Sequence, residues 1–505
     1  MVLGAIAILV GIFAGEIASN LHSAWHTPVD SLGSWIISVI PHWGESLAIS
    51  LFGDHDKGYL VAIILIAAVA AGAIAGKYWL AGKKQIAFYV VGIETVCGSA
   101  TTLARPHSSV FAVIPWLVSG ASALLAMKFF AQRKHDREIV DTNEEVSAAL
   151  PEVSRRQALA LGGSALGLGA FMLITGQGVK TRTLNAIKRL AIPLPKATTP
   201  LPALPADPAT GIPGLSSLIT DNANFYQIDT AINAPEIDPE QWRLSITGMV
   251  SNPIILTYQE LLSRPLFELD DTMSCVSNPV GGPLIGNARW LGCRLDDLIR
   301  EAKPLSGADQ ILSSSDDGFA AGFPLSALDG RGAMIAVGMN GQTLPVKHGY
   351  PARVIVPGLY GYVSATKWVT KIELTKFAQQ QGFWISRGWS QLGPIKMESR
   401  IDTPQDGAGV KSEPTYIAGV AWAPDAGISG VQLQINGEPW MDAQLGPELS
   451  GTSWRQWWLP WSPTPGQKKI TVRAIDKSGS IQPQTIADVA PNGASGWHQI
   501  VVDVN

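Results

Sequence analysis

The sequence offers little to support a nucleic-acid-binding protein or a disulfide-stabilised one. Its formal net charge is −4 and only 15% of its residues are charged. It has no stripe of Lys and Arg with interleaved aromatic residues, the pattern typical of nucleic-acid binding. Three cysteines cannot form a disulfide scaffold. Because Cys97 lies in an apolar stretch, only Cys275 and Cys293 could form a disulfide, and we expect both to remain free thiols.

What the sequence has instead is an uneven distribution of apolar residues. Residues 1–176 consist largely of Ala, Ile, Leu, Val and Gly, whereas the rest resembles ordinary globular protein with many Trp. A chain of 505 residues exceeds one hydrophobic core, since domains usually span about 100–200 residues. The predicted segments are a four-span membrane domain (1–135), a cytoplasmic loop with a fifth span (136–180), a Pro-rich linker (181–220), an α+β domain (221–392) and a β-sandwich (393–505).

Five apolar runs are long enough to cross a bilayer as helices, which takes about 20 residues. They lie at 2–24, 59–81, 86–104, 109–130 and 158–176. Lys and Arg are concentrated between the second and third runs and between the fourth and fifth, which places both loops in the cytoplasm by the positive-inside rule. The sequence therefore predicts a multi-pass protein of a bacterial inner membrane, with everything after residue 176 on the outer side.

Two shorter segments add detail to this predicted topology. Residues 31–50 are interrupted by Pro41 and Gly44, so they are predicted to form an interfacial helix or a re-entrant segment. The fifth run follows Ser154-Arg155-Arg156-Gln157-Ala158-Leu159, which is similar to a twin-arginine export signal. That route exports folded, cofactor-loaded proteins. The alternative is that the two arginines only anchor the end of a helix.

A haem held between the helices would need a pair of axial ligands. His22 and His107 lie near the outer ends of the first and third runs, but no run carries a histidine near its middle. Histidines in loops and at interfaces are also commoner than haem ligands. We therefore expect no haem, and an electron partner that is a separate carrier or a quinone.

Residues 191–214 are rich in Pro, a composition that excludes regular helix and central strand. They are predicted to be an extended, semi-rigid stalk that lifts the following domains off the membrane.

From Asn224 onward, strand-like and helix-like stretches alternate. Residues 225–229 and 242–248 have the alternation of strands. Thr257 and Glu260 form a capping box before a short helix, and 294–302 is an amphipathic helix. The remaining predicted elements are strands at 310–314, 333–337, 354–356 and 369–374, and an Asn-Gly hairpin turn at 339–342. The pattern is α+β.

From about residue 395 the helical periodicity disappears. Short alternating runs at 415–421, 431–435, 469–475 and 498–504 are separated by turns rich in Gly, Pro and Asn, which predicts an immunoglobulin-like β-sandwich. Six tryptophans are predicted to form its core and rim, with a carbohydrate-binding face as the alternative: Trp422, Trp440, Trp454, Trp457, Trp458 and Trp461.

The stretch around Cys275 is the strongest candidate for a metal-binding or catalytic site. Cys275 ends an acidic, strand-like run, precedes a loop rich in Gly, Pro and Asn, and is followed by Arg289 and Trp290. A soft thiolate on such a loop suits a soft metal or a nucleophile, and glycines let a bulky group approach the backbone. The alternative is a buried structural cysteine.

Taken in order, the motifs resemble the sulfite oxidase family of molybdopterin enzymes over about residues 224–505. The motifs are the lone Cys275 before its loop, Ala288-Arg289-Trp290-x-Gly292, Met339-Asn340-Gly341-Gln342-x-Leu344-Pro345, His348-Gly349-Tyr350-Pro351-x-Arg353, Val354-Ile355-Val356-Pro357-Gly358 and Lys367-Trp368. The C-terminal sandwich resembles the dimerisation domain of that family, which implies a homodimer.

The resemblance implies that Cys275 supplies the protein thiolate to molybdenum, with a pterin dithiolene supplying the other sulfurs. It also implies a set of cofactor-binding residues drawn from several segments: Asn224, Phe225, Tyr226, Gln227, Asp229, Asp317, His348, Arg353, Ser364, Ala365, Thr366 and Lys367. Tyr360 or Tyr362 is expected to donate a hydrogen bond to a substrate oxygen, and Arg289 is expected to supply positive charge there.

The sequence departs from the family just after Cys275. Animal and plant sulfite oxidases carry adjacent arginines there, which line an anion pocket, whereas this chain has the uncharged run 276–280. Losing bidentate donors weakens the case for sulfite, although Arg289, Arg387, Lys396 and Arg400 could supply charge. The expected activity is oxygen-atom transfer on a small substrate, with sulfite oxidation and reduction of an S- or N-oxide both open.

Two further expectations follow from the whole chain. No cytochrome b5-like segment is recognisable, so electrons are expected to pass to a separate partner or through the membrane half. The rival from another class is a non-catalytic surface protein whose sandwich is a binding module on a stalk. That rival leaves the Cys275 loop and the residues from His348 to Arg353 unexplained.

Overall fold

A computed structural model describes residues 1–22, 25–40, 44, 56–105, 108–142, 188–189 and 191–505. It divides into two units, Met1–Lys188 with Thr230–Ala234, and Arg189–Asp229 with Pro235–Asn505. Three predicted features lie outside the described residues, namely the fifth span at 158–176, the twin-arginine motif at 154–159 and His107.

The first unit is helical. Its helices are α1 (Val2–Ser19), α2 (Pro28–Val39), α3 (Asp56–Leu80), α4 (Lys84–Leu103) and α5 (Ile114–Thr142), the last preceded by a short 3₁₀ turn, Val110–Val113. Among the described residues, four stretches are long and apolar enough to cross a membrane: Val2–Ser19, Lys57–Leu80, Lys84–Leu103 and Val110–Gln132. They coincide with the first four predicted runs.

Small residues and a capped turn shape this unit. A Cβ placed on Gly4 would lie 2.1 Å from the carbonyl oxygen of Gly72, so only glycine allows α1 and α3 to approach so closely. The helix α2 covers the first part of the predicted interfacial segment. It begins after Thr27, whose hydroxyl accepts the Asp30 N–H at 3.1 Å, an N-cap that satisfies one of the free donors of the first turn.

The first part of the second unit is α+β, as predicted. One sheet has the strand order β2-β1-β10-β5-β6, and another has the order β3-β4-β7-β8 with β9 paired to β7. These strands are β1 (Arg243–Gly248), β2 (Ile254–Thr257), β3 (Leu266–Ser274), β4 (Ile285–Arg294), β5 (Gln310–Ser315), β6 (Ala320–Pro324), β7 (Met334–Met339), β8 (Gln342–Thr343), β9 (Arg353–Ile355) and β10 (Val369–Thr375). Three short helices accompany them, α6 (Tyr258–Leu262), α7 (Leu295–Ala302) and α8 (Gly361–Ser364). Trp290 and Leu298 are fully buried in the core of this part.

The local signals for α6, α7 and the hairpin turn are confirmed. Glu260 N–H donates to the Thr257 hydroxyl at 3.1 Å, and the Glu260 carboxylate accepts the Thr257 N–H at 2.7 Å. In the turn between β7 and β8, Asn340 and Gly341 have φ of 53° and 74°, the conformation that favours Asn-Gly in tight hairpins. The predicted strand at 225–229 is wrong, because these residues have no strand partner and serve instead to place side chains.

Over residues 192–207 the Pro-rich segment forms no helix and no regular strand, as predicted, but Pro208–Thr210 form a 3₁₀ turn and the segment is not a free stalk. The segment lies within Arg189–Asp229, which belongs to the second unit. Thr198 N–H donates to Leu266 O at 2.7 Å, and Asp207 accepts a hydrogen bond from Gln456 at 2.8 Å. The proline-fixed backbone therefore lies along the domains that it was expected to hold at a distance.

The C-terminal part is β-rich, as predicted. One sheet has the order β11-β13-β17-β16 and the other β12-β19-β18-β14-β15. The strands are β11 (Glu398–Thr403), β12 (Gly409–Val410), β13 (Thr415–Trp422), β14 (Ile428–Ile435), β15 (Met441–Asp442), β16 (Gln444–Leu445), β17 (Arg455–Trp461), β18 (Gly466–Asp476) and β19 (His498–Val504). Ile417 from one sheet and Val472 from the other lie in one apolar core. Trp422, Trp454 and Trp457 are buried, and the other three tryptophans are partly exposed.

Candidate active site

Cys275 lies directly after β3, at the start of a loop of residues 275–284 that connects β3 to β4. The ladder between these strands ends at the pair Ser274 and Ile285. Cys275 N–H donates to Leu284 O at 2.9 Å, and Asn278 N–H donates to Cys275 O at 3.0 Å. The loop is thus closed at its base, and the Cys275 side chain is held on the end of a rigid sheet.

The surroundings of Cys275 favour a ligand over a free nucleophile. Burial raises the pKa of its thiol, while hydrogen bonds from Ser277 act in the opposite direction. A reactive cysteine usually has a lowered pKa, whereas a bound metal deprotonates a coordinating thiol outright. Tyr226 and Tyr360 both interact electrostatically with Cys275. Burial raises the pKa of both phenols, so they remain protonated donors.

Arg353 is a buried cation without a carboxylate partner in the part of the chain that the structure describes. It is 4% exposed, and its Nη1 and Nη2 donate to His348 O at 3.0 Å and Ala365 O at 3.3 Å. Its Nε has no hydrogen-bond partner among the described residues, and its guanidinium lies 5.1 Å from the centre of the Trp290 ring. Burial lowers the pKa of Arg353 to about 10. A buried, incompletely bonded guanidinium is costly unless an anion pairs with it.

His348 lies beside this cation. Its Nε2 is 2.8 Å from the carbonyl oxygen of Asn222, and burial lowers its pKa to about 4. The ring is therefore neutral, with Nε2 protonated and donating and Nδ1 left to accept. Asn222 also accepts a hydrogen bond from Asn340 at 2.8 Å. The sequence prediction missed Asn222 because its contribution is mainly a backbone carbonyl, which carries no residue-specific signal.

Lys367, Asp229 and Asp317 come together from three separate segments. Lys367 Nζ lies 2.6 Å from the Asp229 carboxylate, and these side chains are 9% and 6% exposed. Burial raises the pKa of Asp317, and the nearby charge of Asp229 adds to that shift while Lys367 opposes it. Asp317 also accepts a hydrogen bond from the Ser315 hydroxyl. The cluster combines one ammonium group with polar acceptors near the Arg353 site.

The remaining predicted cofactor residues are placed unevenly. Phe225 packs edge-on to Trp290 and His348, with ring centres 5.9 Å and 5.6 Å away. Gln227 donates to Asp229 at 3.2 Å, and the Asn224 side chain is exposed. The hydroxyls of the segment 364–366 are used internally: Ser364 donates to Tyr360 O at 2.9 Å, and Thr366 bonds to Ser313 at 2.7 Å.

Arg289 has a structural arrangement that differs from the expected one. Its Nε and Nη2 donate to the two oxygens of Asp270, each at 2.8 Å, and its Nη1 donates to Pro202 O at 2.7 Å. The two residues face each other across β3 and β4. The guanidinium is therefore occupied by an ion pair and by the Pro-rich segment, so the expectation that it supplies charge to a substrate stays a prediction, with these donors directed to structural partners.

The Tyr362 hydroxyl and the three other candidate cations, Arg387, Lys396 and Arg400, also donate hydrogen bonds within the protein. The Tyr362 hydroxyl donates to Ser390 O at 2.6 Å. Lys396 Nζ donates to Gly493 O at 2.5 Å, and Arg387 donates to Phe383 O at 2.8 Å. Arg400 donates to Gly282 O at 2.9 Å. Of the two tyrosines, Tyr360 is the one that interacts with Cys275.

Comparisons with known proteins identify the domain that contains Cys275, His348 and Arg353. The model of the oxidoreductase molybdopterin binding domain matches residues 231–384. Mitochondrial sulfite oxidase of Rattus norvegicus is 28% identical over 342 residues, which are 57% of this chain and 62% of that protein. The protein of Homo sapiens gives the same identity and shares. Residues 231–384 therefore carry an oxidoreductase molybdopterin binding domain, and the chain is similar to sulfite oxidases over 57% of its length. Molybdenum-molybdopterin is accordingly its cofactor, and the chain is an enzyme.

Two other similarities differ in extent. An uncharacterized oxidoreductase of Bacillus subtilis, YuiH, is 29% identical over 156 residues, which are 31% of this chain and 76% of that protein. The structure of the sulfane dehydrogenase SoxCD from Paracoccus pantotrophus is 21% identical with a TM-score of 0.49, and the match covers 60% of this chain and 85% of that one. The chain spans less than two thirds of the length of the mitochondrial sulfite oxidases that it matches.

The residues present fit the cofactor of the sulfite oxidase family. Its pyrophosphate is an anion, and Arg353 offers a buried guanidinium with a free N–H. The pterin carries amide donors and acceptors, and His348, Lys367 and Asp229 offer both. The thiol of Cys275 is a soft ligand of the kind that binds metals with an affinity for sulfur.

Proposed function

We propose that this enzyme is a membrane-anchored, outward-facing molybdenum oxidoreductase that catalyses oxygen-atom transfer on a small substrate such as sulfite. The observation that carries the proposal is the rigid Cys275 loop beside the buried Arg353, which has no carboxylate partner in the described part of the chain. The cofactor supplies the two-electron redox chemistry, and the protein supplies ligation, orientation and electrostatics.

The residues of the chain divide this work among them. Cys275 holds the metal. Arg353 and His348 bind the anionic and polar parts of the cofactor. Lys367 and Asp229 bind polar groups of the pterin beside them. Tyr360, which is 3% exposed and has a raised pKa because of burial, keeps its proton and donates a hydrogen bond to an oxygen of the substrate.

A second candidate activity is reduction of an S- or N-oxide. It is favoured by the uncharged run 276–280 and by the engagement of Arg289 and Arg400 in structural contacts. Such substrates are neutral at the reacting group, so they would need a phenol donor more than a guanidinium pair. Because the chain carries the molybdopterin domain, the alternative of a non-catalytic surface protein is not retained.

The proposal includes the arrangement of the whole chain. Four apolar helical stretches among the described residues support membrane anchoring. The fifth apolar run at 158–176, together with the Lys and Arg distribution, supports an enzyme domain on the outer side. The domain boundaries at 221–392 and 393–505, an immunoglobulin-like sandwich, and a homodimer formed through it belong to the same proposal. The electron partner is a separate carrier or a quinone.

Metal analysis and a substrate screen test the function. The detergent-purified chain should contain about one molybdenum and one pterin per chain. Sulfite oxidation with an artificial electron acceptor is then compared with reduction of S- and N-oxides by a reduced dye, using Cys275→Ser as the inactive control. Metal-loaded protein that turns over none of these substrates would contradict the proposed activity.

A further inference from the structure

The loop of residues 275–284 is held together by several internal hydrogen bonds. Besides the two bonds at Cys275, Leu284 N–H donates to the Asn278 side-chain oxygen at 2.8 Å. Gly282 N–H donates to Pro279 O at 2.8 Å. A closed network of this kind rigidifies the segment that it joins, so a displacement at the tip, around Gly281, is transmitted to the base.

The tip of this loop lies against the C-terminal sandwich. Gly281 has a φ of +76°, and a Cβ placed on it would lie 2.2 Å from both Cδ2 and Nε2 of His498. The next residue is held too, because Arg400 Nη1 donates to Gly282 O at 2.9 Å. His498 begins β19 and Arg400 lies on β11, so both contacts come from the sandwich.

The side chains of His498 and Arg400 are also held by hydrogen bonds to residues outside the loop. Ile401 N–H donates to His498 Nδ1 at 3.0 Å, which leaves the proton of the neutral ring on Nε2, the edge beside Gly281. Arg400 Nε donates to Asp402 at 2.6 Å, and its Nη2 donates to Ser216 at 2.9 Å. The side chains of Arg400 and Asp402 are only 12% and 6% exposed.

The same edge of the sandwich contacts Tyr360. A Cβ on Gly493 would lie 2.5 Å from the Tyr360 hydroxyl oxygen, and Lys396 Nζ donates to Gly493 O at 2.5 Å. Lys396 N–H donates to the Tyr360 hydroxyl at 3.4 Å. The two residues to which we assign the metal and the substrate oxygen are therefore both supported from one surface.

We propose that His498 is a positioning residue for the Cys275 thiolate, and that the sandwich acts on the reaction through it. The ring fills the space above Gly281, Arg400 holds Gly282, and the stiff loop carries this restraint to Cys275. The proposal rests on the assigned role of Cys275 as the metal ligand. The proposal gives the sandwich a role in positioning Cys275, in addition to the proposed role in forming a homodimer.

The test replaces His498 in the full, metal-loaded chain. His498→Leu keeps bulk but removes the acceptor for the Ile401 N–H, whereas His498→Asn keeps an acceptor near the position of Nδ1. With Leu, we expect the absorption band of the molybdenum–thiolate bond to shift and kcat to fall by about tenfold to a hundredfold, the range for small misplacements of reacting groups. KM should change little, and Asn should recover part of both losses.

The control is Gln499→Ala, the next residue of the same strand, whose side chain is exposed; it should match the parent protein. An unchanged band and an unchanged kcat in metal-loaded His498→Leu would overturn the proposal. If Cys275→Ser leaves the band intact, the ligand assignment itself is wrong. If Cys275→Ser abolishes the band and His498→Leu does not alter it, only the role of His498 fails.

A second pair of variants covers the case in which His498→Leu does not fold. Gly281→Ala places a methyl group within the volume of the His498 ring and should displace the band. His498→Ala removes the ring, so the double variant should have a band closer to that of the parent protein than Gly281→Ala alone. Losses that simply add in the double variant would show that the two positions are independent, which contradicts the proposal.

Discussion

Lys367 and Asp229 are 138 residues apart in the sequence, yet their charged groups lie 2.6 Å apart, with side chains less than a tenth exposed. Breaking a buried ion pair leaves one charge without compensation, which costs about 3–5 kcal/mol. We therefore expect Lys367→Met to destabilise the chain by about this amount and to lower its pterin content. Denaturant unfolding and pterin analysis of the purified protein measure the two effects.

The matched control for this change is Lys371→Met. Lys371 pairs with Glu373 at 2.6 Å, but the side chains are 39% and 21% exposed. A pair open to solvent contributes about 0–1 kcal/mol, so this variant should differ little from the parent. Equal losses in the two lysine variants would mean that the buried pair has no special role in the site.

Cys275 and Cys293 provide a second contrast. Both are buried free thiols, but only Cys275 lies on the loop beside Tyr226 and Tyr360. Cys275→Ser should abolish turnover and the molybdenum–thiolate absorption while the fold and much of the pterin are retained. Cys293→Val replaces a small hydrophobe by one of similar size and should cost less than about 1.5 kcal/mol. Full activity of Cys275→Ser would remove the central assignment.

Arg289→Lys tests whether Arg289 supports the fold or binds the substrate. Lysine keeps the charge but cannot bond Asp270 through two parallel N–H groups. We expect lower stability by about 1–3 kcal/mol, since hydrogen bonds to charged groups contribute about that much, with an unchanged KM. Steady-state kinetics alongside thermal unfolding separate the two effects. A large rise in KM with unchanged stability would restore the role in substrate binding.

The raised pKa of the Glu398 carboxyl group predicts how the free energy of unfolding depends on pH. Glu398 is 4% exposed, and burial raises its pKa from 4.5 to about 8. Between these values the folded chain holds a proton that the unfolded chain has lost, so stability is fully present below the lower value and declines as pH rises through the upper one. Glu398→Gln should remove that decline, with a gain on the order of a few kcal/mol at pH 8.

Unfolding measured from pH 5 to 8 in both proteins checks this prediction. Burial also raises the pKa of Asp271 to about 8, so a smaller slope of the same sign should persist in Glu398→Gln. Identical slopes in the two proteins would show that Glu398 ionises normally in the fold.

Reporter fusions test the topology. A reporter that is active only outside the cytoplasm should work when joined after residue 180 and fail at 83 or 135, because Lys and Arg flank the last two positions. A working fusion at 135 would contradict the proposed orientation. An absorption spectrum of the reduced protein tests the expectation of no haem, which a haem band lost in His22→Ala would show to be wrong.

Local chemistry in the sequence determined the elements and the family resemblance. Apolar composition and run length predicted the four apolar helices, the capping box of Thr257 and Glu260 predicted the start of α6, and the Asn340-Gly341 pair predicted the hairpin turn. Each depends on neighbours within a few residues, which the sequence displays directly. The ordered motifs around Cys275, His348 and Arg353 indicated a resemblance to the sulfite oxidase family, because their combination is specific even though each one is short.

Tertiary structure decided which charged side chains were still available to a ligand. Arg289 and Arg353 are the same residue type, yet Arg289 faces Asp270 across a strand pair, while Arg353 is buried and its Nε has no partner in the described ranges. The Pro-rich segment was predicted to be an extended stalk, but its contacts with Leu266 and Gln456 depend on partners far away in the chain. The contact of His498 with Gly281 joins positions more than two hundred residues apart, and such a relationship exists only once both domains have folded.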